Sequence, residues 1–237
     1  MREPFRTERQ PDRLMYPNTP LYRALTDGTF PVVVSLARHD LDLAKAALDS
    51  GAYALKTHLN AYHRATGTTF GSFAHERPFF EQLATLGCPL LVMAGQETVP
   101  SVEEMEVLAD LGFEGFNVYV DHMQPHLLKS RLRPMPALSS TSTPDDIARI
   151  AAIPGCIIEA SVMEFARYGT AMSDVDLARY AAIAAASPVP VIVPSQLRLM
   201  PEDGQRLKAA GLAAPLLGAI VTGDTPASME EALRPWR

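Results

Sequence analysis

In the stretch Ala54-Leu55-Lys56-Thr57-His58-Leu59-Asn60, an amine, an imidazole and an amide recur at every second position. A β-strand sends successive side chains to opposite faces, so Lys56, His58 and Asn60 share one face while Leu55, Thr57 and Leu59 share the other. Two more segments divide in the same way. Residues 115–121 separate Asn117, Tyr119 and Asp121 from Phe116, Val118 and Val120; residues 156–162 separate Glu159 and Ser161 from Ile158, Ala160 and Val162. An amine and a carboxylate facing a common interior can exchange protons with a substrate. Lys56 could act as a general base, as an imine-forming amine or as an electrostatic clamp on an enediolate, with Glu159 as its acid–base partner. His58 and Asp121 complete the catalytic candidates. The structural use of the same residues is a buried polar network, which stabilises weakly because desolvation offsets the attraction.

The elements that must position these groups are short β-rich runs, each followed by an amphipathic helix. The runs are residues 31–36, 54–60, 89–94, 115–121, 135–139, 156–162, 189–193 and 216–221. The fifth is the weakest, because proline cannot donate to a ladder. Helix starts are signalled by Thr19-Pro20, by the capping box Ser101 to Glu104, by Thr143-Pro144 and by Thr225-Pro226. A long loop over 61–76 and a helix over 78–86 follow the second run. Eight βα units in roughly 205 residues predict an α/β fold, a single-domain (β/α)8 TIM barrel. It spans 29–237 and is preceded by an N-terminal arm and short helix over 1–28. An open doubly wound sheet is the alternative topology. In a closed barrel one strand face packs on helices, and the other points inward and floors the active site near the strand C-terminal ends. Ser35 on the first strand then joins the inner set.

Composition limits the function classes. The chain has 237 residues, 47% hydrophobic and 20% charged, an ordinary globular balance. A net charge of −6 argues against nucleic acid or an anionic membrane as the main partner. No apolar run reaches membrane-spanning length, and the charged start lacks the apolar core of a secretory signal. Cys88 and Cys156 each adjoin a predicted strand, as expected for unpaired thiols in a reducing cytoplasm. Homo-oligomerisation is an open expectation, with the arm as a possible crossing segment.

The expected ligand is a small anionic substrate. Barrels often hold phosphate at the loops after strands seven and eight, where Arg198, Thr222 and Gly223 stand. The loop after strand two, with His63 and Arg64, is the other candidate and could close as a lid. Asn60, Asn117, Tyr119, Ser161 and Ser35 are the remaining substrate-binding candidates. His58, Asp121, Glu159 and His122 could ligate a divalent metal, but no local spacing such as HxH or HExxH supports this, and no cofactor is predicted.

Three segments carry a family likeness: residues 137–146 (Ala-Leu-Ser-Ser-Thr-Ser-Thr-Pro-Asp-Asp), residues 190–211, and Gly218-Ala219-Ile220-Val221-Thr222-Gly223. The chain resembles the ribulose-phosphate-binding barrel superfamily and, within it, the N-acylmannosamine-6-phosphate 2-epimerases, over most of residues 30–233. The resemblance implies a phosphate-type barrel. That family has a catalytic lysine ending strand three and a catalytic glutamate after strand seven. This chain has Ala94-Gly95-Gln96-Glu97 and Pro194-Ser195-Gln196 there, and carries Lys56 where that family tends to have arginine. The expected function is proton transfer beside a carbonyl in a phosphorylated or carboxylated sugar-like substrate, as in isomerases and epimerases. The alternatives are a Schiff-base aldolase or lyase using Lys56, a non-catalytic ligand-binding barrel and a metal-dependent lyase or hydrolase.

Overall fold

The computed structural model describes residues 16–237; the first fifteen residues of the expected arm lie outside that range. The strands are β1 (Val33–Ser35), β2 (Ala54–His58), β3 (Ala61–His63), β4 (Thr68–Phe70), β5 (Leu90–Met93), β6 (Phe113–Tyr119), β7 (Arg133–Ala137), β8 (Ile158–Glu159), β9 (Val191–Pro194) and β10 (Ala214–Leu217). Eight of them close a parallel barrel in the order β1-β10-β9-β8-β7-β6-β5-β2, so the sheet is not an open one. The connecting helices are α1 (Pro20–Thr26), α2 (Leu41–Asp49), α3 (Phe73–Ala84), α4 (Val102–Asp110), α5 (Pro144–Ala151), α6 (Asp174–Ala186), α7 (Pro201–Ala209), α8 (Ala219–Thr222) and α9 (Pro226–Leu233).

Local chemistry explains the helix boundaries. Asp40 caps α2 by accepting from the Asp42 and Leu43 amides, and Ser101 with Glu104 forms the expected capping box on α4. Thr143 and Thr225 cap α5 and α9, each followed by proline at the first helical position. The weak fifth strand is present, with Pro134 and Pro136 inside it. The Leu138 amide donates to the Glu159 carbonyl, so the alternate positions 134 and 136 face the same neighbour. They have no N–H to give it, and β8 is accordingly only two residues long.

Two layers divide the barrel interior. The lower layer is apolar: Val33, Ala54, Leu91, Met135, Ile157, Ile192, Ala214 and Leu216, closed from below by Leu21 and Leu25 of α1. The α1 helix is held by the Leu21 amide on Glu114 Oε2 at 3.0 Å and by Arg133, whose guanidinium lies 3.5 Å over the Tyr22 ring. Outside the strands, Leu55, Leu59, Phe116, Val118, Ile158, Ala160 and Val162 pack under the helices, as the alternation predicts.

Three expected boundaries are corrected. Residues 61–76 are not an irregular loop: β3 and β4 pair as an antiparallel hairpin turning at Gly67, and α3 begins at Phe73 rather than near Pro78. The fourth barrel strand, β6, ends at Tyr119, and Val120–His122 form a 3-10 turn. The eighth, β10, ends at Leu217 rather than Val221, and Ala219–Thr222 wind into α8.

Candidate active site

At the C-terminal ends of the barrel strands lies an open cavity of about 380 Å³. Its floor is a single ion pair. Lys56 Nζ lies 2.6 Å from Glu159 Oε2, and both residues are only 4% exposed. In the closed sheet, β2 and β8 are four strands apart in either direction, so the pair spans the full diameter of the barrel. It borders the apolar layer, since Lys56 is in register with Leu91 and Glu159 with Ile192 on the adjacent strands. Ser161 Oγ donates to Glu159 Oε1 at 2.9 Å, which gives each carboxylate oxygen one donor.

The walls carry most of the other expected residues. Ser35 is in register with Lys56 on the next strand. Asn117 donates Nδ2 to the Met135 carbonyl at 2.7 Å, which fixes its amide plane. Tyr119 stands above Ser161; burial, with the Tyr168 and Glu159 charges, pushes its phenol pKa up and keeps it a neutral donor. His58 is 3% exposed and stacks on Phe70 at 4.7 Å. Burial first, then the neighbouring His63, Lys56 and His39, pull its pKa well below the usual imidazole range. Its Nδ1 has no hydrogen-bond partner among the described residues. His63, bonded through Nδ1 to Thr66 Oγ1 at 2.8 Å, is pulled down to about 4 by burial and by Lys56. Both rings are therefore neutral at physiological pH.

The hairpin covers one side of the mouth. His39 ties it to the barrel: Nδ1 lies 2.6 Å from Glu76 Oε2, and Nε2 donates to the His58 carbonyl at 3.1 Å. Glu76 Oε1 accepts the Gly71 amide at 2.8 Å, and the His39 ring stacks on Phe79 at 4.3 Å.

Five expected residues lie elsewhere. Asn60 adopts φ 47°, passes its backbone N–H to the Gly71 carbonyl and lies off the cavity wall; it shapes the exit from β2. Asp121, displaced by the end of β6, is exposed on the 3-10 turn and lines a second cleft with Ser139, Thr141, Ser142 and Asp146. Arg198 is exposed and reaches the Thr170 carbonyl through its amide. Thr222 is fully buried with its hydroxyl on the Gly223 carbonyl, one turn past the strand end. Gly218, Ala219 and Ile220 occupy the rim in place of Thr222 and Gly223.

Sequence reasoning passed over Ser195, Gln196, Phe165 and Tyr168, which also line the cavity. Ser195 Oγ accepts the Gly218 amide at 2.7 Å and so joins β9 to the start of α8. Gln196 accepts from the Met163 amide at 3.0 Å and donates to the Tyr168 hydroxyl at 2.6 Å, which leaves the phenol proton to point elsewhere. Position just after a barrel strand was the available signal for Ser195 and Gln196. Among the described residues, no three His, Cys, Asp or Glu side chains are grouped to hold a metal ion, and no helix is long and apolar enough to cross a membrane. Cys88 and Cys156 are both free, and burial pushes the Cys156 thiol up to about 12.

No family model and no curated protein matches the sequence. Solved structures do. A chain of tryptophan synthase from Mycobacterium tuberculosis superposes with TM-score 0.71 at 14% identity, covering 94% of this chain and 97% of that one. Tryptophan synthase subunit alpha from Legionella pneumophila gives 0.67 at 14% identity over 94% and 97%. Thiamine phosphate pyrophosphorylase from Pyrococcus furiosus gives 0.61 at 11% identity over 89% and 94%. These likenesses are of fold, and with the closed sheet they establish the chain as a single-domain (β/α)8 barrel.

Proposed function

We propose that the protein is an enzyme that moves a proton beside a carbonyl in a small anionic, sugar-like substrate. One observation carries the reading: the Lys56–Glu159 pair forms the floor of an open cavity at the strand C-terminal ends, where barrel enzymes do their chemistry. Glu159 takes the proton from the carbon next to the carbonyl and becomes a neutral acid. The Lys56 ammonium, released from its counter-ion, donates to the enediolate oxygen. Ser161 holds the carboxyl in place through Oε1. Return of the proton to the other face, or to the neighbouring carbon, gives an epimer or an isomer. The structural neighbours named for tryptophan synthase and for thiamine phosphate pyrophosphorylase are consistent with an enzyme but do not select the reaction.

The same 2.6 Å contact favours a second reading. Glu159 can accept the Lys56 proton and free the amine to attack a carbonyl, with water leaving as the imine forms. The experiment is solvent deuterium exchange across a panel of small hydroxy-aldehydes and hydroxy-ketones carrying phosphate or carboxylate. Exchange that disappears in Glu159→Gln supports proton transfer. A borohydride-stable adduct on Lys56 selects the imine. Binding without exchange or adduct, unchanged in Lys56→Met and Glu159→Gln, overturns both and leaves a ligand-binding barrel.

A further inference from the structure

We propose that Arg64, at the tip of the β3–β4 hairpin, anchors the anionic group of the substrate. This rests on the reading of the cavity as the substrate site, and it adds where the charge sits. The charge balance of the cavity points to Arg64. Lys56 is neutralised by Glu159 at 2.6 Å, and His58 and His63 are neutral. Arg64 lines the same cavity and, among the described residues, no carboxylate lies within ion-pair distance of it. Its guanidinium sits 5.7 Å over the Phe165 ring, across the mouth from the hairpin. A guanidinium that meets an aromatic ring rather than a carboxylate keeps its N–H donors available to grip an oxyanion with two parallel bonds. Tyr119 and Glu159 line the same cavity as Arg64.

The hairpin holds this position ready. The Gly67 amide donates to the His63 carbonyl at 2.9 Å, Thr66 Oγ1 meets His63 Nδ1 at 2.8 Å, and Gly71 is held by Glu76. The competing place at the end of β10 is less suited. The Gly218 amide already donates to Ser195, the Thr222 hydroxyl is buried on Gly223, and Asp224 follows with its own negative charge. Among the described residues, His122 is the remaining basic side chain that lines the cavity.

The test is calorimetric titration of the full chain at pH 8 with inorganic phosphate and, separately, with glycolate. Parent, Arg64→Met, His122→Asn and Arg198→Met proteins are compared. Arg64 is exposed on a turn, so its substitution leaves the fold intact. At least one of the two anions binds the parent. Arg64→Met weakens that anion about tenfold or more, as expected for loss of a charge-assisted bidentate contact, and the other two variants stay within about twofold of the parent. Preference between phosphate and glycolate identifies the anion class. The proposal is overturned if neither anion binds the parent, if Arg64→Met binds as the parent does, or if His122→Asn or Arg198→Met carries the loss. Anion binding needs no turnover, so a failed exchange experiment with intact Arg64-dependent binding removes the proton-transfer reading alone.

Discussion

Removing one partner of the Lys56–Glu159 pair should cost far more than removing both. Lys56→Met leaves a carboxylate that is 4% exposed, holding only the Ser161 hydroxyl and flanked by Ile192 of the apolar layer on the adjacent strand. A buried charge deprived of its counter-ion costs about 3–5 kcal/mol. For a chain of this length, about 2–4 °C of melting temperature accompanies each kcal/mol, so the midpoint should fall by roughly 6–20 °C. Glu159→Leu strands the ammonium and should behave alike. In Lys56→Met/Glu159→Leu neither charge remains, and side chains of similar volume span the barrel. That variant should lie within about 1 kcal/mol of the parent or above it, because a buried pair recovers little beyond its own desolvation. The coupling from the double-mutant cycle is then at least about 5 kcal/mol, the two single costs less that of the double variant. Urea unfolding of the four proteins at pH 7 measures it directly. Additive effects, or single substitutions that each cost under about 0.5 kcal/mol, would refute the claim that the two groups meet in a water-poor interior. A double variant that is stable yet inert in the exchange assay would separate the pair's chemistry from its structural role.

Two further outcomes follow from the hairpin and the loop beside it. His63 is held at about 4, below its unfolded value near 6.5, so the unfolded chain binds the extra proton between those values and stability falls as the pH drops through that window. Relative to His63→Gln, the parent should lose about 1–2 kcal/mol between pH 7 and pH 4.5, after allowance for the partial exposure of the ring; a parallel pH profile for the two proteins would contradict this. Gly95 has φ +145°, and a Cβ there would collide with the Thr98 backbone carbonyl and crowd Asn60. Gly95→Ala should therefore cost about 3 kcal/mol or more in urea unfolding, and a cost below about 1 kcal/mol would show that the loop after β5 relaxes freely.

The barrel was legible because two periodicities agreed. Alternation in 54–60, 115–121 and 156–162 separated the inward from the outward side chains correctly at Leu55, Phe116, Ile158, Lys56 and Glu159. Capping at Ser101, Thr143 and Thr225 marked where the helices begin. The strand ends were less legible, since nothing in Val118-Tyr119-Val120-Asp121 or Gly218-Ala219-Ile220-Val221 breaks the β-rich composition. The turns there come from closing the barrel and from contacts such as the Ser195 hydroxyl on the Gly218 amide. Thus Asp121 fell two residues, and Thr222 and Gly223 five and six residues, beyond the true strand ends and left the cavity wall.

The hairpin was hidden for a different reason. Three-residue strands carry too little alternation to stand out, and residues 61–70 are mostly polar with only Ala61 and Phe70 buried. What folds them is tertiary: Phe70 packs against both His39 and His58, and His39 bridges Glu76 to the His58 carbonyl. His58 therefore has a part that strand alternation could not reveal. Its ring is a neutral, buried partner of Phe70, and its carbonyl is an anchor for the structure that holds Arg64 over the mouth. A histidine two residues from Lys56 invites an acid–base role; burial and the neighbouring charges all oppose protonation of its ring, while its carbonyl holds His39 and so helps fix the hairpin above the pair.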